Sequence, residues 1–398
     1  MNKNIVSNLK LEILKNYNEI FHWKPLPIEV KEAFELVDRH NFVSMYKDTV
    51  DDSETLVTES NISEHLTKIY RDQYLIIKTD RETNEVLSSL SQPSLVLYML
   101  AIGDIRLGDS ILEIGTASGW NAALLSNLVG ASGRVVSTEI DGELGVEAKS
   151  RLKLLGYDNV RVKVGDGARG APGEKFDVIF YTVGIYDIPS DIYDQLKEKG
   201  ILVLILKNKG GGDTLIKLRK SGEKLVSEES IPCGFVEIQG HFRTQEMQPK
   251  ILCQDLTLKK LWSSKTNEQK FWFGGSDKSD FYWRSMPFKA YLSIVNPYYF
   301  AAYEKEEDYK SADSGGYFGI YNRDEFSLAV FTGKKLIGCG SDWAFETIKK
   351  LLNDWVDIGM PTISSFHLEV CKKTSKRKIG CGEYLITRDE SKFFFNLK

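Results

Sequence analysis

Between about Asp109 and Leu206, short apolar runs take turns with segments whose apolar residues recur at helical spacing. Strands are predicted near residues 111, 135, 161, 177 and 202, and helices near 121, 143 and 191. This alternation is the pattern of a doubly wound, mostly parallel α/β sheet. Two of the runs, Phe176-Asp177-Val178-Ile179-Phe180-Tyr181 and Ile201 to Leu206, are almost continuously apolar, as central strands covered on both faces are. Upstream, Val30, Ala33, Phe34 and Val37 follow Pro25 and Pro27 at helical spacing, so residues 22–50 read as a helical lead-in. After Lys207 the texture changes. Gly210-Gly211-Gly212 opens a loop, and Thr214 to Leu218 and Lys224 to Ile231 flank Ser221-Gly222 as a hairpin, read as an antiparallel addition to the same sheet. The polar stretch from about Arg243 to Lys270, with Gln245, Gln248, Lys259 and Lys260, reads as a domain boundary. Beyond it the chain is aromatic-rich and strand-like, with one helix from about Trp343 to Val356. Its Phe345, Ile348, Leu351, Leu352 and Trp355 form one apolar stripe suited to core packing. The expected division is a helical lead-in over 1–50, an α/β domain over 51–245 and an added α+β accessory domain, suited to substrate recognition, over 246–398.

A length of 398 residues suits two domains better than one, and 42% hydrophobic with 27% charged residues describes a folded, water-facing chain. The net charge of −4 argues against duplex nucleic acid, which calls for a basic surface. Met1 to Glu19 intersperses Lys and Asn with apolar residues and lacks a signal-type core, and no stretch is long enough to span a bilayer. The five cysteines, Cys233, Cys253, Cys339, Cys371 and Cys381, are odd in number and widely spaced, so neither a disulfide framework nor a metal site is indicated. They are expected to be buried thiols, and the cytoplasm is the expected compartment. The basic run Lys372 to Lys378 is expected to be a solvated loop, and His241 a structural histidine.

The candidate chemistry sits at Ile111-Leu112-Glu113-Ile114-Gly115-Thr116-Ala117-Ser118-Gly119-Trp120, an apolar strand that runs into a small-residue turn and then a helix. Such a unit offers unpaired amides and the positive end of a helix to a nucleotide-like cofactor. Dinucleotide binding asks for Gly-x-Gly-x-x-Gly. Here Ala117 holds the middle position and Glu113 precedes the turn, a pattern that resembles the S-adenosylmethionine loop of Rossmann-like methyltransferases. About twenty residues on, the strand Arg134 to Thr138 ends at Glu139, whose carboxylate can accept from both ribose hydroxyls. The strand Val160 to Val164 runs into Gly165-Asp166-Gly167, placing Asp166 for an adenine amino group. The expected cofactor residues are therefore Glu113, Gly115, Thr116, Ala117, Ser118, Gly119, Glu139, Asp166 and Gly167.

Residues from roughly 28 to 240 resemble protein-L-isoaspartate O-methyltransferases in several separated motifs. Val37-Asp38-Arg39-His40-Asn41-Phe42-Val43 is similar to that family's Val-Pro-Arg-x-x-Phe-Val, with Asp38 in place of proline. Glu113 to Gly119, Gly165-Asp166-Gly167 and Ile188-Pro189 match further, with Ala117 standing where the family has glycine. Ser88-Ser89-Leu90-Ser91-Gln92-Pro93-Ser94 lies where the repair enzymes carry Ile-Ser-Ala-Pro-His. Its Ser-Gln-Pro-Ser form resembles the methyltransferases of ribosomal (lanthipeptide-type) peptide maturation, which also carry a C-terminal extension. The resemblance implies S-adenosylmethionine as cofactor and methylation of an aspartate or isoaspartate carboxylate in a peptide or protein, followed by closure to a succinimide. It makes Ser91 the catalytic candidate, a hydroxyl that positions the carboxylate, unless it caps the helix beginning near Pro93. Gln92, Ser94, Tyr181 and Thr182 join Ser91 as expected substrate contacts, with Tyr186 beside them, and a modified precursor peptide is the expected partner. Repair of damaged protein, a non-catalytic peptide-binding module and a small-molecule methyltransferase are the competing functions.

Overall fold

The computed structural model describes residues 3–47, 53–209, 212–244, 249–271, 273, 278–306 and 316–398. Contacts group the chain into two compact units: Met1–Ile205 with Lys217–Leu225 and Phe235–Arg243, and Leu206–Ile216 with Val226–Gly234 and Thr244–Lys398.

The first unit opens with helices α1 (Lys3–Ile20) and α2 (Ile28–Leu36), followed by a single 3-10 turn at Arg39–Phe42. The lead-in expected over 22–50 is thus one short helix; Val37 is already extended and caps its end. A small antiparallel sheet follows, made of β1 (Met45–Lys47), β2 (Glu54–Leu56), β3 (Leu75–Thr79) and β4 (Val86–Leu90) in the order β2-β1-β3-β4, with α3 (Ile62–Ile69) inserted. Helix α4 (Pro93–Ile102) leaves the end of β4, with proline at its first turn, where no amide is needed.

Then comes the alternating region: β5 (Ser110–Ile114), α5 (Trp120–Val129), β6 (Arg134–Glu139), α6 (Gly142–Leu154), β7 (Val160–Val164), β8 (Phe176–Ile185), α7 (Ser190–Gln195) and β9 (Leu196–Leu206). Pairing is parallel between β5 and β6, β6 and β7, and β5 and β8, giving the order β7-β6-β5-β8-β9. Every residue of β5 is buried, as in a central parallel strand covered on both faces. The order reverses between β5 and β8, and in doubly wound sheets the crevice at the strand ends beside that reversal is where ligands bind. Strand β10 (Asp213–Ser221) follows β9 in the order and β11 (Lys224–Cys233) follows β10, somewhat longer than the expected hairpin; their residues are divided between the two units.

The second unit is α+β. Its six-stranded sheet contains β12 (Lys250–Ile251), β13 (Lys265–Lys270), β14 (Tyr299–Tyr303), β15 (Tyr317–Asn322), β16 (Ser327–Phe331) and β17 (Lys335–Gly340) in the order β12-β14-β15-β16-β17-β13. Helices α8 (Leu256–Ser263), α9 (Lys278–Val295) and α10 (Trp343–Asp357) belong to it, and β18 (Phe366–Lys372), β20 (Ser391–Leu397) and β19 (Glu383–Thr387) pair antiparallel beside β11. Alternation along β16 divides the core: Leu328 and Val330 pack with Leu252, Leu258 and Leu261, whereas Phe331 meets Phe271, Phe318 and Phe288. The stripe of α10 packs as expected through Phe345, Ile348 and Trp355, and Trp355 lies 5.3 Å from Phe288.

The polar stretch read as a boundary is therefore folded over much of its length, and Leu258 and Leu261 of α8 are core residues. Gly210, Gly211, Gln245 and Gln248 lie outside the described residues. Cys233, Cys339 and Cys371 are buried thiols, but Cys253 and Cys381 are exposed. In the basic run, Arg377 is engaged rather than solvated: it pairs with Glu369 and Glu383 and stacks on Phe394 at 3.7 Å. Among the described residues no helix is long and apolar enough to cross a membrane.

Candidate active site

At the end of β5 the chain turns back on itself through Gly115, whose φ of +103° suits only glycine without strain. A Cβ there would lie 2.6 Å from the hydroxyl of Thr182, and that hydroxyl sits 2.9 and 2.7 Å from the carbonyls of Ile114 and Gly115, able to donate to either. Ala117 takes the left-handed conformation (φ +47°) that glycine would adopt freely, at a cost of about 1 kcal/mol. Its amide donates to the Glu139 carboxylate at 2.7 Å, which offsets the strain. The alanine thus leaves the turn open. Gly119 starts α5 as its N-cap.

The three expected carboxylates occupy different places. Glu113 is fully buried and does not line the cleft. It accepts from Asn121 Nδ2 (2.7 Å) and Ser137 Oγ (2.5 Å), and Ser137 in turn bonds the Thr116 hydroxyl, so Glu113 braces the turn from behind. Burial pushes its carboxyl up to about 7, against the pull of those two donors. Glu139, at the end of β6, is buried yet lines the cleft; each of its oxygens accepts one amide, from Ala117 and from Asp141 at 3.0 Å. Burial raises its pKa, and the backbone donors oppose the rise. Asp166 follows β7, exposed to solvent, and accepts from the amides of Ala168 (3.0 Å) and His241 (3.1 Å). His241 itself is exposed and takes part through its backbone.

These strand ends border a cleft of about 910 Å³ that opens to solvent and lies wholly in the first unit. Its lining takes Gly115, Thr116, Ala117 and Ser118 from the turn after β5, Glu139 from the end of β6, and Asp166 and Gly167 from the segment after β7. Ser91 and Thr182 complete the expected residues that line it. The remaining candidates do not. Gln92 and Ser94 bond each other (3.0 Å) and Asp72; Tyr181 is buried and donates to the Ala168 carbonyl (2.6 Å); Tyr186 is buried, and Gly119 packs toward Leu152. Ser91 does not cap α4, because the N-cap position is Gln92 and the Ser94 amide goes to Asp72 at 2.8 Å.

Several lining residues carry no mark in the sequence. Ser88 and Ser89 of β4 join Ser91, Ile140 follows Glu139, and the segment 235–239 arrives through bonds between Gly184 and the backbone of Val236 and Ile238. Local serine density at 88–91 was a usable signal; the return of 235–239 was not, since it depends on pairing with β8, far back along the chain. Among the described residues no lysine, arginine or histidine lines the cleft.

A parallel sheet in this strand order, with a glycine turn after its first strand and a carboxylate closing its second, defines a Rossmann-like S-adenosylmethionine-dependent methyltransferase. The family model of protein-L-isoaspartate(D-aspartate) O-methyltransferase (PCMT) matches residues 12–242, and the chain belongs to that family. It is an S-adenosylmethionine-dependent O-methyltransferase. It is 39% identical over 151 residues to the protein-L-isoaspartate O-methyltransferase of Ignicoccus hospitalis, covering 38% of this chain and 72% of that one. The corresponding protein of Fervidobacterium nodosum is 40% identical over 155 residues, 38% of this chain and 76% of that one. A solved structure of a protein-L-isoaspartate O-methyltransferase superposes with a TM-score of 0.53 at 23% identity, covering 91% of this chain and 95% of that chain, so the likeness of fold runs well past residue 242.

Proposed function

We propose that this chain methylates the carboxylate of an isoaspartyl residue in a protein or peptide. The observation that carries the reading is one cleft joining the cofactor turn and Glu139 to the hydroxyls of Ser88, Ser89 and Ser91, with no cationic side chain among the described residues that line it. A carboxylate is ionised at pH 7 and needs no base to become a nucleophile. Hydroxyls can orient it, whereas a lysine or arginine would hold its charge and blunt its attack. When bound, S-adenosylmethionine supplies an electrophilic methyl group on a sulfonium.

The residues present fit that cofactor. Glu139 keeps lone pairs on both oxygens beyond its two amide bonds, enough for a pair of ribose hydroxyls. Ile140 is 41% exposed at the cleft, a flat apolar surface beside Asp166 suited to a purine. Ser91, which lines the same cleft, orients the acceptor carboxylate. Once esterified, the substrate's own neighbouring backbone nitrogen expels methanol and closes a succinimide, a step that asks nothing of the enzyme.

Isoaspartate is preferred over aspartate in a precursor peptide for two reasons. The named relatives are isoaspartyl enzymes. Gln92 and Ser94, whose departure from the repair motif suggests the peptide-maturation type, bond Asp72 behind the cleft and leave its lining to other residues. The test is incubation with S-adenosylmethionine and matched isoaspartyl and aspartyl peptides, with S-adenosylhomocysteine binding followed by calorimetry. Methanol release from the isoaspartyl peptide is expected, and Glu139→Ala is expected to weaken cofactor-product binding about tenfold or more. Release from the aspartyl peptide alone would replace this reading with peptide modification; release from neither would overturn both.

A further inference from the structure

The geometry points to Arg39 and Asp72 as positioning residues that together hold the Ser91-Gln92-Pro93-Ser94 segment against the cofactor turn. This rests on the role given above to Ser91. Asp72 lies in the turn after α3, far from the segment in sequence, yet its Oδ1 accepts the Ser94 amide at 2.8 Å and its Oδ2 accepts Gln92 Nε2 at 3.3 Å. Helix α4 therefore takes its cap from another part of the chain, because its own N-cap residue makes no side-chain cap bond. The consequence reaches the chemistry. With Asp72 satisfying the helix amide, the Ser91 hydroxyl is not drawn into capping, and among the described residues it has no hydrogen-bond partner at the cleft wall.

Arg39 completes the clamp. Its guanidinium is fully buried and donates to four main-chain carbonyls: Leu90 (3.4 Å) and Ser91 (3.0 Å) on one side, Arg71 and Gln73 (both 3.3 Å) on the other. The last two flank Asp72. The same guanidinium lies 5.1 Å from the ring of Trp120, the residue with which α5 starts beyond the cofactor turn. One planar cation thus ties together the strand end that carries Ser91, the turn that carries Asp72 and the helix that follows the cofactor loop. Burying a guanidinium is expensive, and among the described residues its Nε has no partner, so the four carbonyls offset the cost only in part; they belong to the segments whose spacing sets the distance from Ser91 to the methyl donor.

The experiment compares Asp72→Ala, Asp72→Asn, Ser91→Ala and the double variant Asp72→Ala/Ser91→Ala on the isoaspartyl peptide, with S-adenosylhomocysteine binding measured in parallel. For Asp72→Ala, kcat is expected to fall about tenfold or more while the peptide KM and the affinity for S-adenosylhomocysteine stay within about twofold. Asp72→Asn keeps an oxygen for the Ser94 amide and should recover most of the loss. The double variant should be no slower than Ser91→Ala. Full kcat in folded Asp72→Ala, beside a slow Ser91→Ala, overturns the clamp and leaves the proposed function standing. Full kcat in Ser91→Ala overturns the role of Ser91, and the purpose of the clamp with it. Parallel loss of kcat and cofactor affinity that Asp72→Asn does not repair shows general damage and overturns the clamp as well. If Asp72→Ala does not fold, Arg39→Lys, which keeps the charge but cannot reach four carbonyls, is held to the same criteria. Should the wild type methylate neither peptide, the proposed function fails, and hydrogen exchange over residues 91–95 decides the clamp: faster exchange in Asp72→Ala upholds it and unchanged exchange overturns it.

Discussion

Glu113 and Glu139 are two carboxylates at the ends of neighbouring parallel strands, and only burial geometry gives them different work. Glu139 lines the cleft with an amide on each oxygen, and Glu113 sits behind the turn between Asn121 and Ser137. The folded state holds a proton on Glu113 up to about pH 7, whereas the unfolded chain releases it near 4.5. A raised carboxyl pKa means that the folded state binds the proton more tightly, so this contribution is full below about 4.5, declines as pH rises, and becomes a penalty of about 3 kcal/mol above 7. Glu113→Gln should therefore unfold at higher denaturant than wild type at pH 8, by up to about 3 kcal/mol, with the gain fading toward pH 5. Equal destabilisation at both pH values would mean that its two donors keep Glu113 ionised. Both glutamates were legible as strand-end acids, but their division of labour was not: it depends on Asn121 in the first turn of α5 and Ser137 on the next strand. Gln92 and Ser94 stand off the cleft lining for a reason equally hidden in the sequence. Their partner, Asp72, lies 20 and 22 residues upstream, beyond the reach of any local pattern.

The strands and helices of the cofactor region fall close to where periodicity places them, because each buries an apolar face long enough to register. Elements without such a face escaped. Strands β1 and β2 are only three residues long, and β2 is mostly exposed. Helix α8 shows only Leu258 and Leu261 as buried anchors between polar residues, so it carries no helical signature, although the chain does enter the second unit at Thr244, where the polar stretch begins. The join between β7 and the next segment gives a prediction at this scale. A Cβ on Gly167 would lie 2.0 Å from Thr138 Oγ1, the residue before Glu139, so Gly167→Ala must push the second and third strand ends apart. A loss of about 1–3 kcal/mol in thermal or denaturant unfolding is expected, together with weaker S-adenosylhomocysteine binding. Binding and stability at wild-type level would mean that the two strand ends are not packed as described.

The chain passes between the two units several times before residue 244, at 205/206, 216/217, 225/226 and 234/235, so neither unit is one continuous stretch of sequence. Strand β11 pairs with β18, which belongs to the last third of the sequence. Ending the chain at Arg243 would leave Leu206–Ile216 and Val226–Gly234 without the rest of their unit and give β11 an open edge, a template for association. Such a truncated protein is expected to aggregate or elute as oligomers in gel filtration and to melt below the full chain; a monomer with the full-length melting temperature would contradict this. The sequence by itself determined what depends on neighbours along the chain: the alternating α/β core, the glycine turn, the acidic strand ends and the helix beginning at Pro93, because periodicity and turn chemistry act over a few residues. Tertiary structure alone decided which of those side chains face the cleft, what caps α4 and which distant segments share a unit. Those outcomes turn on contacts such as Asp72 with Ser94 or Gly184 with Val236, whose distance along the chain conceals them until the sheet has formed.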